Sequence, residues 1–273
     1  MIPIYNSIAP IEKVAGTNGS WPIIILAENI EYYICKYDSV SKLINEYLAH
    51  QFLQIWGIPV FEAAFVQIRQ EHILDKFIEG RLQKWMFNKP TFGLLYNENA
   101  PDVTMVLPEL RGDYNEINKF VNRKDLLKIA LFDLWVAHND RNINHYNMLI
   151  RPTDNGFEFV PIDHSEIFDG SNLGGKISQL TEEDSILSSE LLKTFVFRKR
   201  NAQEISLEIV NNFSNFVNNC NDKLPEIVAG IPDEWCKDKT SILNSVRDLI
   251  VENQSWLDET IKNFKELVEI NSV

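Results

Sequence analysis

Residues 138–149 read HNDRNINHYNML and residues 157–164 read FEFVPIDH; what lies between and around them decides the fold. Upstream, Leu127, Ala130, Leu131, Leu134 and Trp135 recur at helical spacing, which predicts a helix from Lys124 to His138. Downstream, Asn147 to Ile150 and Phe157 to Ile162 are apolar runs on either side of Asp154-Asn155-Gly156, and Asn-Gly between such runs predicts a tight hairpin. A hairpin brings the chain back to where it started, so Asp163 is expected beside Asn147 and Asp140. A loop this rich in Asp and Asn, set between a buried helix and a buried strand, is poor packing material. Two carboxylates and one carboxamide converging on a point suit a hard cation such as Mg²⁺, which takes oxygen ligands.

Working outward toward the N-terminus, Trp21 to Leu26 and Ile30 to Tyr37 read as strands, rich in Ile and Tyr. Gly16 to Ser20 precedes them and is a turn by composition. A helix is predicted from about Ser41 to Trp56, capped by Asp38 or Ser39, with Ile44, Leu48, Phe52 and Ile55 on one face. Gly57 ends it and Pro59 prevents its return. Phe61 to Arg69 and His72 to Phe77 then read as a strand pair. Residues 81 to 122 are mixed, broken at Pro90, Pro101 and Pro108. From Thr181 onward the chain reads as helical, broken at Pro225 and Pro232. The layout is α+β: a small β-rich lobe with one helix over residues 1–80, then a larger, mainly helical lobe over residues 81–273.

Composition narrows the partners. The 273-residue chain carries a formal net charge of −13. Such a chain is repelled by nucleic acid and by anionic membranes, so neither is expected as a direct partner. No apolar run approaches the ~20 residues of a membrane helix, and the N-terminal segment lacks the pattern of a secretory signal. The three cysteines, Cys35, Cys220 and Cys236, match no zinc spacing. A cytoplasmic protein with reduced thiols is expected.

The segment LWVAHNDRNINHYNMLI, followed by FVPIDHSEIF, resembles the catalytic and metal-binding loops of HipA-like kinases, toxin-type serine/threonine kinases of bacteria. It is similar, more distantly, to the loop of phosphoinositide kinases. The run NEYLAHQFLQIWGIPV resembles the matching helix of the same family. The resemblance implies a bilobal protein-kinase-like fold and ATP- and Mg²⁺-dependent phosphotransfer to a Ser or Thr hydroxyl. On that reading Asp140 meets the acceptor hydroxyl, and Arg141 stabilises the loop or the developing phosphate charge. Asn147 and Asp163 hold Mg²⁺, with Asn144 the alternative to Asn147. Lys36 would hold the α- and β-phosphates and Glu46 would hold Lys36. Gly16 and Gly19 belong to a phosphate-covering loop in which Thr17 and Ser20 are candidates for autophosphorylation. Lys76, Phe77 and Ile78, within Asp75–Gly80, fall where the lobes should join and where adenine would be held.

One position departs from the family pattern: His145 stands where most relatives carry an Asn, five residues after the catalytic Asp. The expected acceptor is a protein substrate or the chain itself, and an antitoxin or regulatory protein is a further expected partner. A small-molecule or lipid acceptor, transfer of AMP instead of phosphate, and a nucleotide-binding module without turnover stay open.

Overall fold

The computed structural model describes residues 2–13, 22–74, 83–170, 173–196 and 199–271. Gly16, Gly19, Thr17, Ser20, Lys76, Phe77 and Ile78 lie outside these residues.

The N-terminal region builds a six-stranded sheet from β1 (Ile4–Asn6), β2 (Glu12–Lys13), β3 (Ile23–Leu26), β4 (Tyr32–Cys35), β5 (Ala63–Gln67) and β6 (Thr91–Leu95), in the order β1-β5-β6-β4-β3-β2. β1 runs parallel to β5 and every other pair is antiparallel. Side chains alternate across the sheet as the pleat requires. Ile23, Ile25, Tyr33, Cys35, Ala64 and Val66 close a small core on one face. Phe65 and Phe92 point to the other face, where helix α1 (Val40–Ile55) lies.

Three expectations change here. β5 is flanked by β1 and β6, and Gln70–His72, where the expected second strand of the pair would begin, forms a single 3₁₀ turn; residues 75–77 lie outside the described residues. Because β6 sits between β5 and β4, the sheet extends past residue 80, where the lobe was expected to end, and the chain leaves it after Leu95. The side chains of Asp38 and Ser39 do not cap α1: Asp38 accepts the Ser39 N–H at 2.6 Å, and Ser39 makes no side-chain cap bond. Gly57 does end the helix, in the left-handed conformation that glycine tolerates (φ 65°).

The second region is helical: α2 (Val103–Leu110), α3 (Tyr114–Ile117), α4 (Asp125–Val136), α5 (Glu190–Phe195), α6 (Lys199–Ala229), α7 (Lys239–Val246) and α8 (Gln254–Asn271). A two-stranded hairpin, β7 (Met148–Thr153) with β8 (Gly156–Pro161), stands among them. α4 is buried along most of its length, and its buried residues are apolar except Asp133. Trp135 of α4 stacks on Trp56 at the end of α1 (centroids 5.3 Å apart), and Phe132 and Phe213 meet the same ring edge-on. Pro108 and Pro225, expected as breaks, lie inside α2 and α6. An interior proline costs about 3 kcal/mol; around Pro225 the burial of Leu224, Ile227 and Val228 offsets it. Among the described residues, no helix is long and apolar enough to cross a membrane.

Candidate active site

Sheet and helices meet at a cleft of about 810 Å³, within the usual range for small-molecule sites. Lys36, just past β4, Glu46 on α1, Asp140 and Asn147 on the loop after α4, and Asp163 after β8 all line it. Lys36 ion-pairs directly with Asp163 and lies 3.8 Å from Glu46 Oε1. Asn147 donates its side-chain amide to Asp140 Oδ2 (2.8 Å) and to the Asp140 carbonyl (3.2 Å). With its side-chain nitrogen engaged there, the Asn147 side-chain oxygen, Oδ1, is the polar end left for a ligand.

The electrostatics follow from crowding and burial. Burial lifts the Glu46 carboxyl to about 7, although Lys36 pulls the other way. Burial also works against ionised Asp163, but contact with Lys36 wins and holds it at about 2. For Lys36, desolvation disfavours the ammonium, yet Asp163 and Glu46 outweigh it and its pKa stands above the ordinary value. Burial raises Asp140, and the Asp163 charge adds to this while Asn147 opposes it.

Of the two roles the resemblance implies for Arg141, its placement agrees with the loop and not with the phosphate. Arg141 is fully buried and does not line the cleft, so it meets neither acceptor nor phosphate. It donates to Asp133 Oδ1 at 2.5 Å, to the Ile162 carbonyl at 2.9 Å and, more weakly, to the Asn147 carbonyl at 3.4 Å. Its Nη2 also lies 2.9 Å from His164 Nε2. A guanidinium can only donate, so His164 carries its proton on Nδ1. Burial and the adjacent guanidinium keep this imidazole neutral. His138 Nε2 donates to the Asp163 carbonyl at 2.9 Å, and its Nδ1 accepts the Arg141 backbone N–H at 3.3 Å.

Asn144 is exposed, outside the cleft, with its N–H on Asn142 Oδ1 (2.9 Å). Of the two candidate asparagines the structure thus brings only Asn147 to the cleft. His145 is exposed at the mouth, its Nδ1 4.0 Å from Asp140 Oδ1.

Several cleft residues were not singled out by the sequence. Lys42, on α1, pairs with Glu166 at 2.5 Å, and Leu94 to Asn97 form the wall at the end of β6. Lys42 stands one helical turn before Glu46, a spacing that places both on one face. That was the available signal.

The donor set fits a Mg²⁺–nucleotide. Asp163 and Asn147 offer hard oxygens, and the Lys36 ammonium already shows Asp163 holding a cation. Among the described residues there is no cluster of three His, Cys, Asp or Glu side chains for a metal. A Mg²⁺ site completed by phosphate and water needs none.

A sheet-bearing lobe over a helical lobe, with a strand-end Lys, a helix Glu and a loop Asp, Asn and Asp converging between them, defines a protein-kinase-like architecture. The chain belongs to the HipA-like kinases: the sequence model of that family matches residues 11–266. Among solved structures, a Helicobacter pylori proinflammatory kinase, CtkA, is 12% identical, with 98% of both chains covered and a TM-score of 0.49. A Golgi casein kinase with Mn/ADP bound is 9% identical over 96% of this chain and 74% of that one, with a TM-score of 0.47. No curated protein matches the sequence.

Proposed function

We propose that this kinase transfers the γ-phosphate of Mg²⁺-ATP to a Ser or Thr hydroxyl of a protein, either a partner or the chain itself. The observation that carries the reading is the meeting of Lys36, Asp140, Asn147 and Asp163 in one cleft. Asp163 and Asn147 would hold Mg²⁺, which supplies charge neutralisation at the phosphates when bound. Lys36, kept charged by its acidic neighbours, supports the nucleotide phosphates, and Glu46 keeps Lys36 in place once Asp163 is given over to the metal. Asp140, raised above an ordinary carboxyl but half-exposed at the cleft, is placed to orient the acceptor hydroxyl and take its proton. The end of β6, Leu94 to Asn97, offers an apolar wall and backbone for a base. A regulatory protein that masks this cleft, of the antitoxin kind, is compatible with the reading.

The test is the intact mass of the purified protein after incubation with Mg²⁺-ATP, with Asp140→Ala and Asp163→Ala in parallel. A gain of phosphate in the wild type alone is expected. Labelling that survives in both variants would sink the assignment, and a gain of AMP would replace the reaction while keeping the site.

A further inference from the structure

Asp133 is a charged residue in the buried part of α4, whose other buried residues are all apolar. One of its carboxylate oxygens meets Arg141 Nη1 at 2.5 Å; the other, Oδ2, is buried and has no hydrogen-bond partner among the described residues. Arg141 is also fully buried. A buried ion pair is a poor device for holding a core together, because an apolar pair of similar volume is often as stable or more so. The pair must therefore be judged by what else it touches.

The guanidinium reaches the carbonyl of Ile162, immediately before Asp163, the imidazole of His164, immediately after it, and the carbonyl of Asn147. Asn147 and Asp163 themselves sit in left-handed backbone, with φ of 44° and 59°. That conformation costs a residue with a side chain free energy and persists only where neighbours over-determine it. The same two residues present oxygens to the cleft. Among the described bonds, Arg141 is the side chain that links both of these strained peptides, and Asp133 fixes the orientation of its planar fork.

We propose that Asp133 and Arg141 are positioning residues: together they hold the Asn147 and Asp163 peptides in the left-handed conformation that turns both side chains into the cleft. The proposal rests on the reading of Asn147 and Asp163 as the Mg²⁺ ligands. Stability and positioning separate in a double variant, Asp133→Leu with Arg141→Met, which removes both charges at once and leaves neither unpaired. Asp133→Asn is the milder companion, keeping an oxygen acceptor for the guanidinium but not the charge.

Both variants are compared with wild type and Asp163→Ala in thermal melts and in steady-state phosphotransfer with Mg²⁺ varied at fixed ATP. Expected are cooperative melts in both, a kcat lower by about tenfold or more, and half-saturation at higher Mg²⁺, as loss of a ligand-orienting group produces. Wild-type kcat and wild-type Mg²⁺ dependence in either folded variant would overturn the proposal. So would failure of both variants to fold, since the pair would then be an element of stability. An inactive wild type, or an active Asp163→Ala, would instead strike the metal-ligand reading and is recognisable without either pair variant.

Discussion

Glu46 sits 3.8 Å from the Lys36 ammonium and accepts the His164 backbone N–H at 3.0 Å, yet burial lifts its pKa from the ordinary 4.5 to about 7. Lys36 does not prevent this, because its ammonium lies closer to Asp163 than to Glu46. Between these two values the folded protein holds a proton that the unfolded chain has lost. Stability therefore falls as pH rises through that window, and the cost is complete above it. Glu46→Gln removes the titration. It is expected to melt above the wild type near pH ~8, with the advantage shrinking toward pH ~5, while phosphotransfer falls because Lys36 loses an anionic partner. Melts at the two pH values with one activity assay check this; a Gln variant less stable at the higher pH would contradict it. At the same scale, Asn147→Ala should cost at least the roughly 10–100-fold that loss of a metal-orienting group costs. Asn144→Ala, exposed and outside the cleft, should leave the rate as it was. Rates for the two variants measured side by side decide between the asparagines.

The β7–β8 hairpin is the element that delivers Asp163, and it is tied to the helical region along one side. Phe157 donates its N–H to the Lys119 carbonyl at 2.9 Å, and Val121 donates to the Phe157 carbonyl at 2.8 Å. Gly156 permits that approach: it has φ 137°, and a Cβ there would lie 2.1 Å from the Lys119 oxygen. Gly156→Ala is expected to lower the urea midpoint at unchanged slope, by about 1–3 kcal/mol of stability, as forced overpacking does. An unshifted midpoint would show that the Lys119 backbone moves aside freely. This hairpin, α1 and α4 were legible in the sequence, because their patterns are local: Asn-Gly between apolar runs, and apolar residues at helical spacing. β6 was not. It is five residues long, follows Pro90 and has Gly93 at its centre, and an interior glycine weakens a strand signal. In the sheet that glycine has a reason that only the fold reveals, since a Cβ there would lie 2.6 Å from Cys35 Sγ. The site divides in the same way. Asp140, Asn147, Asp163, Lys36 and Glu46 stand in or at the ends of patterned elements and could be placed. Asp133, Lys42 and Glu166 could not, because a charge in a helix or loop reads as solvated until its partner, distant in sequence, is known.

On the scale of the whole molecule, α1 belongs to both regions. Tyr47 packs on Phe65 of the sheet, and Trp56 stacks on Trp135 of α4. Three of its residues grip the segment after Asp163: Glu46 takes the His164 N–H, Asn45 donates to the carbonyls of Ser165 (3.0 Å) and Ile167 (3.1 Å), and Lys42 pairs with Glu166. These contacts tie α1 to the sheet and to the segment that follows Asp163. If Asp163 takes Mg²⁺ as proposed, the Lys36 ammonium must first leave it. On that reading, nucleotide without metal would leave the ion pair intact and gain only part of the binding energy. ATP with a chelator should therefore raise the melting temperature less than the same ATP with Mg²⁺. At about 100 times the dissociation constant, the metal complex should stabilise by about 2.7 kcal/mol, roughly 5–10 °C for a chain of this size. In Asp163→Ala the extra increment from Mg²⁺ should vanish, while the shift from ATP alone should persist or grow, since Lys36 is then free for the phosphates. Equal shifts with and without Mg²⁺ in the wild type would mean that Asp163 keeps Lys36 and that the metal, if bound, is held elsewhere.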